Sequence, residues 1–151
     1  MKLAEALSWR KDLKKRIAQL HQRIASNAKV QEGEKPLEDP QELFAELEQC
    51  LVQFEDLVWR INASNMQAKN TAGVCLTQLL AQRDALTMRL GALRAVFSAA
   101  TEGQSRYSRT EIKMLTTIDV KKLSKDIDAY SARLRQLDVE IQALNFSADL
   151  L

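Results

Sequence analysis

Apolar residues recur along most of this chain at alternating steps of three and four, the spacing of helices that each bury one stripe. We call these the seam positions. The pattern predicts four helices at about residues 2–28, 40–68, 74–101 and 119–146, with a polar connecting segment at 102–118. The expected fold class is all-α, with long antiparallel helical hairpins in a coiled-coil-like bundle that forms a single domain over 1–151. The first helix has the seam Leu3, Ala6, Arg10, Leu13, Ile17, Leu20 and Ile24.

The second helix has a strong start signal and an unusually wide apolar stripe. Asp39 can cap it, Pro40 suits the first helical position, and Glu42 can close a capping box. A stripe that wide should be buried on two sides, so we expect the chain to form a homo-oligomer. The first seam is Leu43, Leu47, Cys50, Phe54, Leu57 and Ile61, and the adjacent second seam is Phe44, Leu51 and Val58.

Charge is distributed unevenly between these two helices. Residues 2–29 hold eight basic and two acidic side chains, a net charge of +6, whereas residues 31–58 hold nine acidic and one basic, a net of −8. Opposite charges on consecutive helices favour an antiparallel hairpin. Apolar burial should supply most of its stability, because exposed ion pairs contribute little.

Polar residues interrupt the seams at four places. Arg10 and Arg83 occupy seam positions of the first and third helices, and Asn62 and Asn65 stand where the second seam of the second helix should continue. Arg10 either extends into solvent at a frayed helix end or meets a partner. The next residue after Arg83 is Asp84, which should lie on a different helix face and is not the expected partner. The asparagines and Arg83 either form one polar, ligand-facing layer or mark the places where the core ends.

The segment Thr101–Lys122 is the longest stretch without helical periodicity, and long loops in compact domains are often functional. It supplies two guanidinium groups, an aromatic ring, a hydroxyl and an ammonium group, which together can hold a phosphate and stack a base. The alternative is a solvated basic loop. The candidate ligand-binding residues are Arg106, Tyr107, Ser108, Arg109 and Lys113, with Arg83, Asn62, Asn65 and Arg10 as further members.

Composition argues against several classes of function. The chain has one histidine and two cysteines, with no CxxC or HExxH motif, so we expect no metal site and no cofactor. No phosphate-binding glycine loop or nucleophile elbow is present, so we expect no enzymatic activity. A net charge of +2 gives little drive toward nucleic acid. Cys50 and Cys75 lie among apolar residues and should be buried, reduced thiols, and no stretch is suited to a signal peptide or a membrane span; we therefore expect a cytoplasmic protein.

Almost the whole chain is covered by a set of distinctive stretches: MKLAEALSWRKDLKKRI, NAKVQEGEKPLEDP, RINASN, TQLLAQRDAL and RYSRTEIK with TIDVKKL. These stretches resemble a small bacterial and phage family of helical proteins that are often named septicolysin and are otherwise of unknown function. The resemblance implies a helical, oligomeric protein without an established enzymatic activity. The name implies membrane attack, which no apolar segment of this sequence supports.

The function we expect is therefore binding without catalysis. A homo-oligomeric helical protein would capture or sequester an anionic, nucleotide-like ligand in a pocket near residues 101–122. The alternative is a coiled-coil scaffold that binds another protein through its acidic second helix.

Overall fold

The computed structural model describes residues 1–103 and 114–151, and its regular elements there are four α-helices. They are α1 (Leu3–Ser26), α2 (Pro40–Gln67), α3 (Leu76–Thr101) and α4 (Val120–Ser147). The fold class is all-α, as the apolar spacing predicts. Each helix begins and ends within two residues of the bound expected from the sequence. Asp39 caps α2 by accepting a hydrogen bond from the Gln41 backbone at 2.9 Å, and Asp119 caps α4 by accepting one from the Lys122 backbone at 3.0 Å.

The seam positions carry the core. On α1, the side chains of Leu13 and Leu20 are buried, and on α2 those of Leu43 and Leu57 are buried. The remaining seam positions of α1 and of the first seam of α2 are buried or half-buried, and the same holds for the seams of α3 and α4. The seam of α3 is Leu76, Leu79, Arg83, Leu86, Leu90, Leu93, Phe97 and Ala100, and that of α4 is Val120, Leu123, Ile127, Tyr130, Leu134, Leu137, Ile141 and Leu144. Cys50 is a buried free thiol, whereas Cys75 is also free but only half-buried, so the expectation that both cysteines are buried is wrong for Cys75.

Helices α1 and α2 form the predicted antiparallel pair. Arg16 donates through Nε to Glu46 at 2.7 Å, and Arg23 donates through Nε to Glu38 at 3.0 Å. Because the later residue of α1 meets the earlier acidic residue, the two segments run in opposite directions. Both carboxylates come from the acidic stretch and both guanidinium groups from the basic one, as the opposite net charges predict. The buried leucines supply most of the stability, because exposed ion pairs contribute little.

The second seam of α2 is on the surface of the chain. Phe44 is 53% exposed, Leu51 is 40% exposed, and Asn62 is exposed as well, whereas Val58, the last apolar residue of this seam, is half-buried. Near the end of α2 the buried position is Ser64, which is 2% exposed and stands seven residues after buried Leu57. The core therefore follows the first seam to its end, because a helix that packs on one neighbour buries a single stripe. Burial of the second seam in a homo-oligomer stays a prediction.

The first and last residues of the described chain bind each other. The Leu3 backbone donates to the Ala148 carbonyl at 3.0 Å, and the Leu150 backbone donates to the Met1 carbonyl at 2.9 Å. Lys2 forms an ion pair of 2.9 Å with Asp149. The hydrogen bond from Lys2 lowers the pKa of the Asp149 carboxyl group. These contacts hold the end of α4 next to the start of α1.

Two compact units can be distinguished by their internal contacts. The first comprises residues 1–76 and 143–151, and the second comprises residues 77–142. A single domain over 1–151 stays a prediction. The first unit contains the α1–α2 pair and the joined chain ends, and in the second unit side chains of α3 and α4 contact each other.

Candidate functional site

Five of the candidate residues lie in the part of the chain that the structure does not describe. They are Arg106, Tyr107, Ser108, Arg109 and Lys113. Their role as ligand contacts, and the pocket near residues 101–122, stay predictions.

The other four candidates lie on helices. Arg10 is half-buried on α1, Asn62 is exposed on α2, and Asn65 is half-buried there. Arg83 is half-buried on α3 and pairs with Asp84: its Nη2 lies 3.0 Å and its Nε 3.2 Å from Asp84 Oδ1. The expectation that Asp84 is not the partner is wrong, because the long arginine side chain bends around the helix to its neighbour. The single polar layer of Arg83 with the asparagines stays a prediction.

A basic cleft lies between α3 and α4, within the second unit. Its volume is about 170 Å³. Leu86 and Leu137 form an apolar floor and are each 8% exposed. We call this pocket the α3–α4 cleft; its lining residues are Gln82, Ala85, Leu86, Arg89, Arg133 and Leu137.

The two arginines give the cleft its chemistry. Arg89 comes from α3 and Arg133 from α4, both are exposed, and no acidic side chain is among the lining residues. Among residues 1–103 and 114–151, neither guanidinium group is in an ion pair with a carboxylate. Two positively charged groups that line one cleft without a carboxylate attract an anion. Guanidinium groups bind phosphate and carboxylate with paired hydrogen bonds.

Neighbouring side chains on α4 hold the arginines of α3. The Arg89 guanidinium lies over the Tyr130 ring, with Cζ 5.0 Å from the ring centroid. Arg94, farther along α3, donates to the Ser131 hydroxyl at 3.2 Å. A guanidinium stacked on an aromatic ring keeps its N–H edge free for a ligand, because only its face is occupied.

Sequence reasoning missed Arg89 and Arg133 because each stands one position before a seam leucine, in the flanking rows usually assigned to solvent. The helical spacing of the lining residues could have indicated the cleft. Gln82, Leu86 and Arg89 are separated by four and three residues and therefore share one face of α3. Arg133 and Leu137 are four apart on α4. Two such faces on helices that contact each other predict a basic cleft with an apolar floor.

A second pocket lies beside the loop between α1 and α2 and is less suited to an anion. Its volume is about 470 Å³. Its single basic side chain, Arg23, is paired with Glu38, and the hydrogen bond from Arg23 lowers the pKa of the Glu38 carboxyl group. The positive charge is thus already compensated. Its lining residues are Gln19, Gln22, Arg23, Ser26, Asn27, Leu37 and Glu38.

Comparison with known proteins identifies the family. The model of a family of unknown function, DUF6847, matches residues 10–150. The chain belongs to the DUF6847 family. A crystal structure of a functionally unknown conserved protein from Corynebacterium diphtheriae is similar to it, with 40% sequence identity over 100% of this chain and 99% of that one and a TM-score of 0.91. No protein with a curated description matches.

These matches agree with the expected membership in a family of unknown function, and neither description contains the name septicolysin. Within the described residues of this DUF6847 protein, no helix is both long enough and apolar enough to cross a membrane.

Proposed function

We propose that this DUF6847 protein is a non-enzymatic binding protein that holds a small anionic, phosphate-bearing ligand in the α3–α4 cleft. One observation carries the proposal: Arg89 and Arg133 come from two different helices and line one cleft that has no acidic side chain. A phosphate between them would receive charge-assisted hydrogen bonds from both sides.

The lining supports binding rather than chemistry on the ligand. Arginine, glutamine, alanine and leucine are neither nucleophiles nor general bases near neutral pH. The Gln82 amide can donate a further hydrogen bond to a phosphate or accept one from a base or sugar. The leucine floor suits a ring or the apolar face of a sugar.

The size of the cleft limits what it can enclose. Its 170 Å³ is close to a cavity of about 150 Å³ that accepts one benzene ring. A phosphate or one ring fits, and the rest of a nucleotide would extend along the helices. Arg89 stands twelve residues before the end of α3, roughly 18 Å along the helix. Arg106 and Arg109 lie outside the described residues, so their predicted ligand contacts are a separate hypothesis from this cleft.

The proposal is tested by titration calorimetry with inorganic phosphate and with mono-, di- and cyclic nucleotides. Each charge-assisted hydrogen bond lost costs about 1.5–3 kcal/mol, or roughly ten- to hundredfold in affinity. We expect Arg89→Gln and Arg133→Gln to weaken binding of whichever of these anions binds the parent by at least tenfold, with unchanged helical content by circular dichroism.

The matched control is Arg135→Gln, which removes the same charge from an exposed position of α4 outside the cleft lining. It should leave affinity within about twofold of the parent. If none of the anions binds the parent, or if the control weakens binding as much as the cleft variants do, the cleft is not an anion site.

A further inference from the structure

Helix α2 exposes a row of large apolar side chains along one side. Trp59 is 70% exposed, Met66 is 59% and Val52 is 58% exposed. At about 100° of rotation per residue, the members of the row fall within a sector of roughly 100° and extend over about 33 Å of helix. We call this surface the outer face of α2; its apolar residues are Phe44, Leu51, Val52, Trp59 and Met66.

Two carboxylates lie in the same sector and no cation does. Glu48 and Glu55 are exposed, seven residues apart, and are in no ion pair among the residues that the structure describes. The single basic residue between positions 44 and 66 is Arg60, which points to the other side of α2, where it meets Asp56 at 3.6 Å and the Leu151 carbonyl at 2.5 Å. The outer face therefore combines apolar side chains with uncompensated negative charge.

The outer face has the residue types of an interaction site. Contiguous apolar patches on monomers rarely exceed a few hundred Å², and larger ones mark interaction sites. An aromatic side chain buries roughly 150–250 Å², so Trp59 and Phe44 would dominate the contact, and tryptophan is among the residue types enriched at the energetic centres of interfaces. Successive apolar residues of this face are seven apart, with one adjacent pair, and a seven-residue repeat is a spacing by which one helix packs along another.

We propose that the outer face of α2 binds a basic amphipathic helix of another protein. Charge complementarity carries the choice of partner: lysines or arginines seven residues apart on such a helix would meet Glu48 and Glu55. Its apolar stripe would cover Leu51 and Trp59. The carboxylates then discriminate between helices, because an acidic amphipathic helix would bring like charges together.

Two placements of a second copy on this face, through its own outer face or through its α1, fit less well. Pairing the outer face with itself would place the carboxylates of Glu48 and Glu55 against those of the other copy. Helix α1 of a second copy has the required positive charge. However, within α1, which is described along its whole length, Trp9 is the single large apolar side chain that is exposed. Helix α1 of a second copy therefore offers the positive charge without an apolar stripe.

The test uses three synthetic peptides of equal length on the full chain. The first is a helix of leucine and lysine with all leucines on one face, the second has the same composition in scrambled order, and the third replaces every lysine with glutamate. Binding is followed by titration calorimetry and by tryptophan fluorescence in a Trp9→Phe background, which leaves Trp59 as the reporter. We expect the first peptide to bind at least tenfold more tightly than the other two.

Substitutions on the outer face of α2 test whether the peptide binds there. Trp59→Gln and the double variant Glu48→Gln with Glu55→Gln should each weaken the leucine–lysine peptide at least tenfold, and the double variant should also reduce the dependence of affinity on salt. The matched control is Met88→Gln on α3, which changes an apolar side chain that is 77% exposed elsewhere. It should bind like the parent.

Three outcomes would overturn the proposal. One is equal binding of the ordered and scrambled peptides, and another is unchanged affinity in the double glutamate variant. The third is a dimer in sedimentation velocity that Trp59→Gln dissociates, since the occupant would then be a second copy. Because the cleft is on α3 and α4, Arg89→Gln should leave peptide binding intact, and this separates the present inference from the proposed anion site.

Discussion

The Ser64 hydroxyl lies 3.0 Å from the Leu151 backbone nitrogen and accepts its hydrogen bond, across 87 residues of sequence. The same hydroxyl donates to the Arg60 carbonyl one turn earlier at 2.8 Å. Ser64 is 2% exposed and is the buried polar residue at the end of the α2 seam. A hydroxyl can donate and accept at once, so this one residue joins α2 to the last residue of the described chain without an unsatisfied polar atom.

Replacing Ser64 should therefore destabilise the fold. In Ser64→Ala the Leu151 N–H loses its acceptor, and we expect the free energy of unfolding to fall by about 1–3 kcal/mol. Urea denaturation followed by circular dichroism measures it. Ser8→Ala, at an exposed position of α1, is the control and should change stability by less than about 0.5 kcal/mol. Equal stability of Ser64→Ala and the parent would show that water replaces the hydroxyl at no cost.

Two leucines of the first unit should respond very differently to the same truncation. Leu20 is a residue of α1 and is 0% exposed, whereas Leu37 lies in the loop before α2 and is 98% exposed. Leu20→Ala should cost about 2–5 kcal/mol because it removes buried methyl groups and leaves a cavity. Leu37→Ala should change stability by less than about 0.5 kcal/mol. The difference in urea midpoints checks this, and similar midpoints would contradict the assigned core.

Acid should weaken the fold partly through Glu38. Its pKa in the folded state is lowered by the hydrogen bond from Arg23, below the ordinary value of about 4.3 for glutamate. Between the two pKa values the unfolded chain therefore binds more protons than the folded one. The stability that the Arg23–Glu38 pair contributes is complete when the pH is above the ordinary glutamate pKa, and it is lost as the pH falls through the folded-state pKa of Glu38.

The variant Glu38→Gln should accordingly show a shallower loss of unfolding free energy than the parent between about pH 5 and pH 2. Denaturation curves at a series of pH values measure the slope. Glu32→Gln, which removes an exposed carboxylate from the same loop, is the control and should keep the slope of the parent. A parent-like slope in Glu38→Gln would mean that the Arg23 pair does not persist in solution.

Arg83→Leu should be nearly neutral for stability. The pair with Asp84 links two adjacent residues at the surface, and exposed ion pairs contribute about 0–1 kcal/mol. We expect the melting temperature of the variant to stay within about 3 °C of the parent, by differential scanning calorimetry. A much larger decrease would indicate that Arg83 has partners beyond Asp84, as the predicted polar layer with Asn62 and Asn65 requires.

The helices themselves could be predicted from the sequence with little error, because each depends on local information. The three-and-four spacing from Leu76 to Ala100 defines α3, and Asp39 followed by Pro40 defines the start of α2. The opposite net charges of residues 2–29 and 31–58 also predicted the antiparallel pairing of α1 and α2, which the Arg16–Glu46 and Arg23–Glu38 pairs confirm. The second seam of α2 was harder to interpret, because an apolar stripe shows that a surface favours burial and not what covers it.

What the sequence by itself determined is the set of helices, the Asp39 cap of α2 and the seam that each helix buries, because periodicity and capping chemistry are local. The tertiary structure decided which polar residues meet. Ser64 and Leu151 are far apart in the chain, and nothing local marks them as partners. Arg89 and Arg133 appear as ordinary flanking charges until α3 and α4 bring them to one cleft. Their proximity depends on the rotation and register of two helices, which seam spacing alone leaves free.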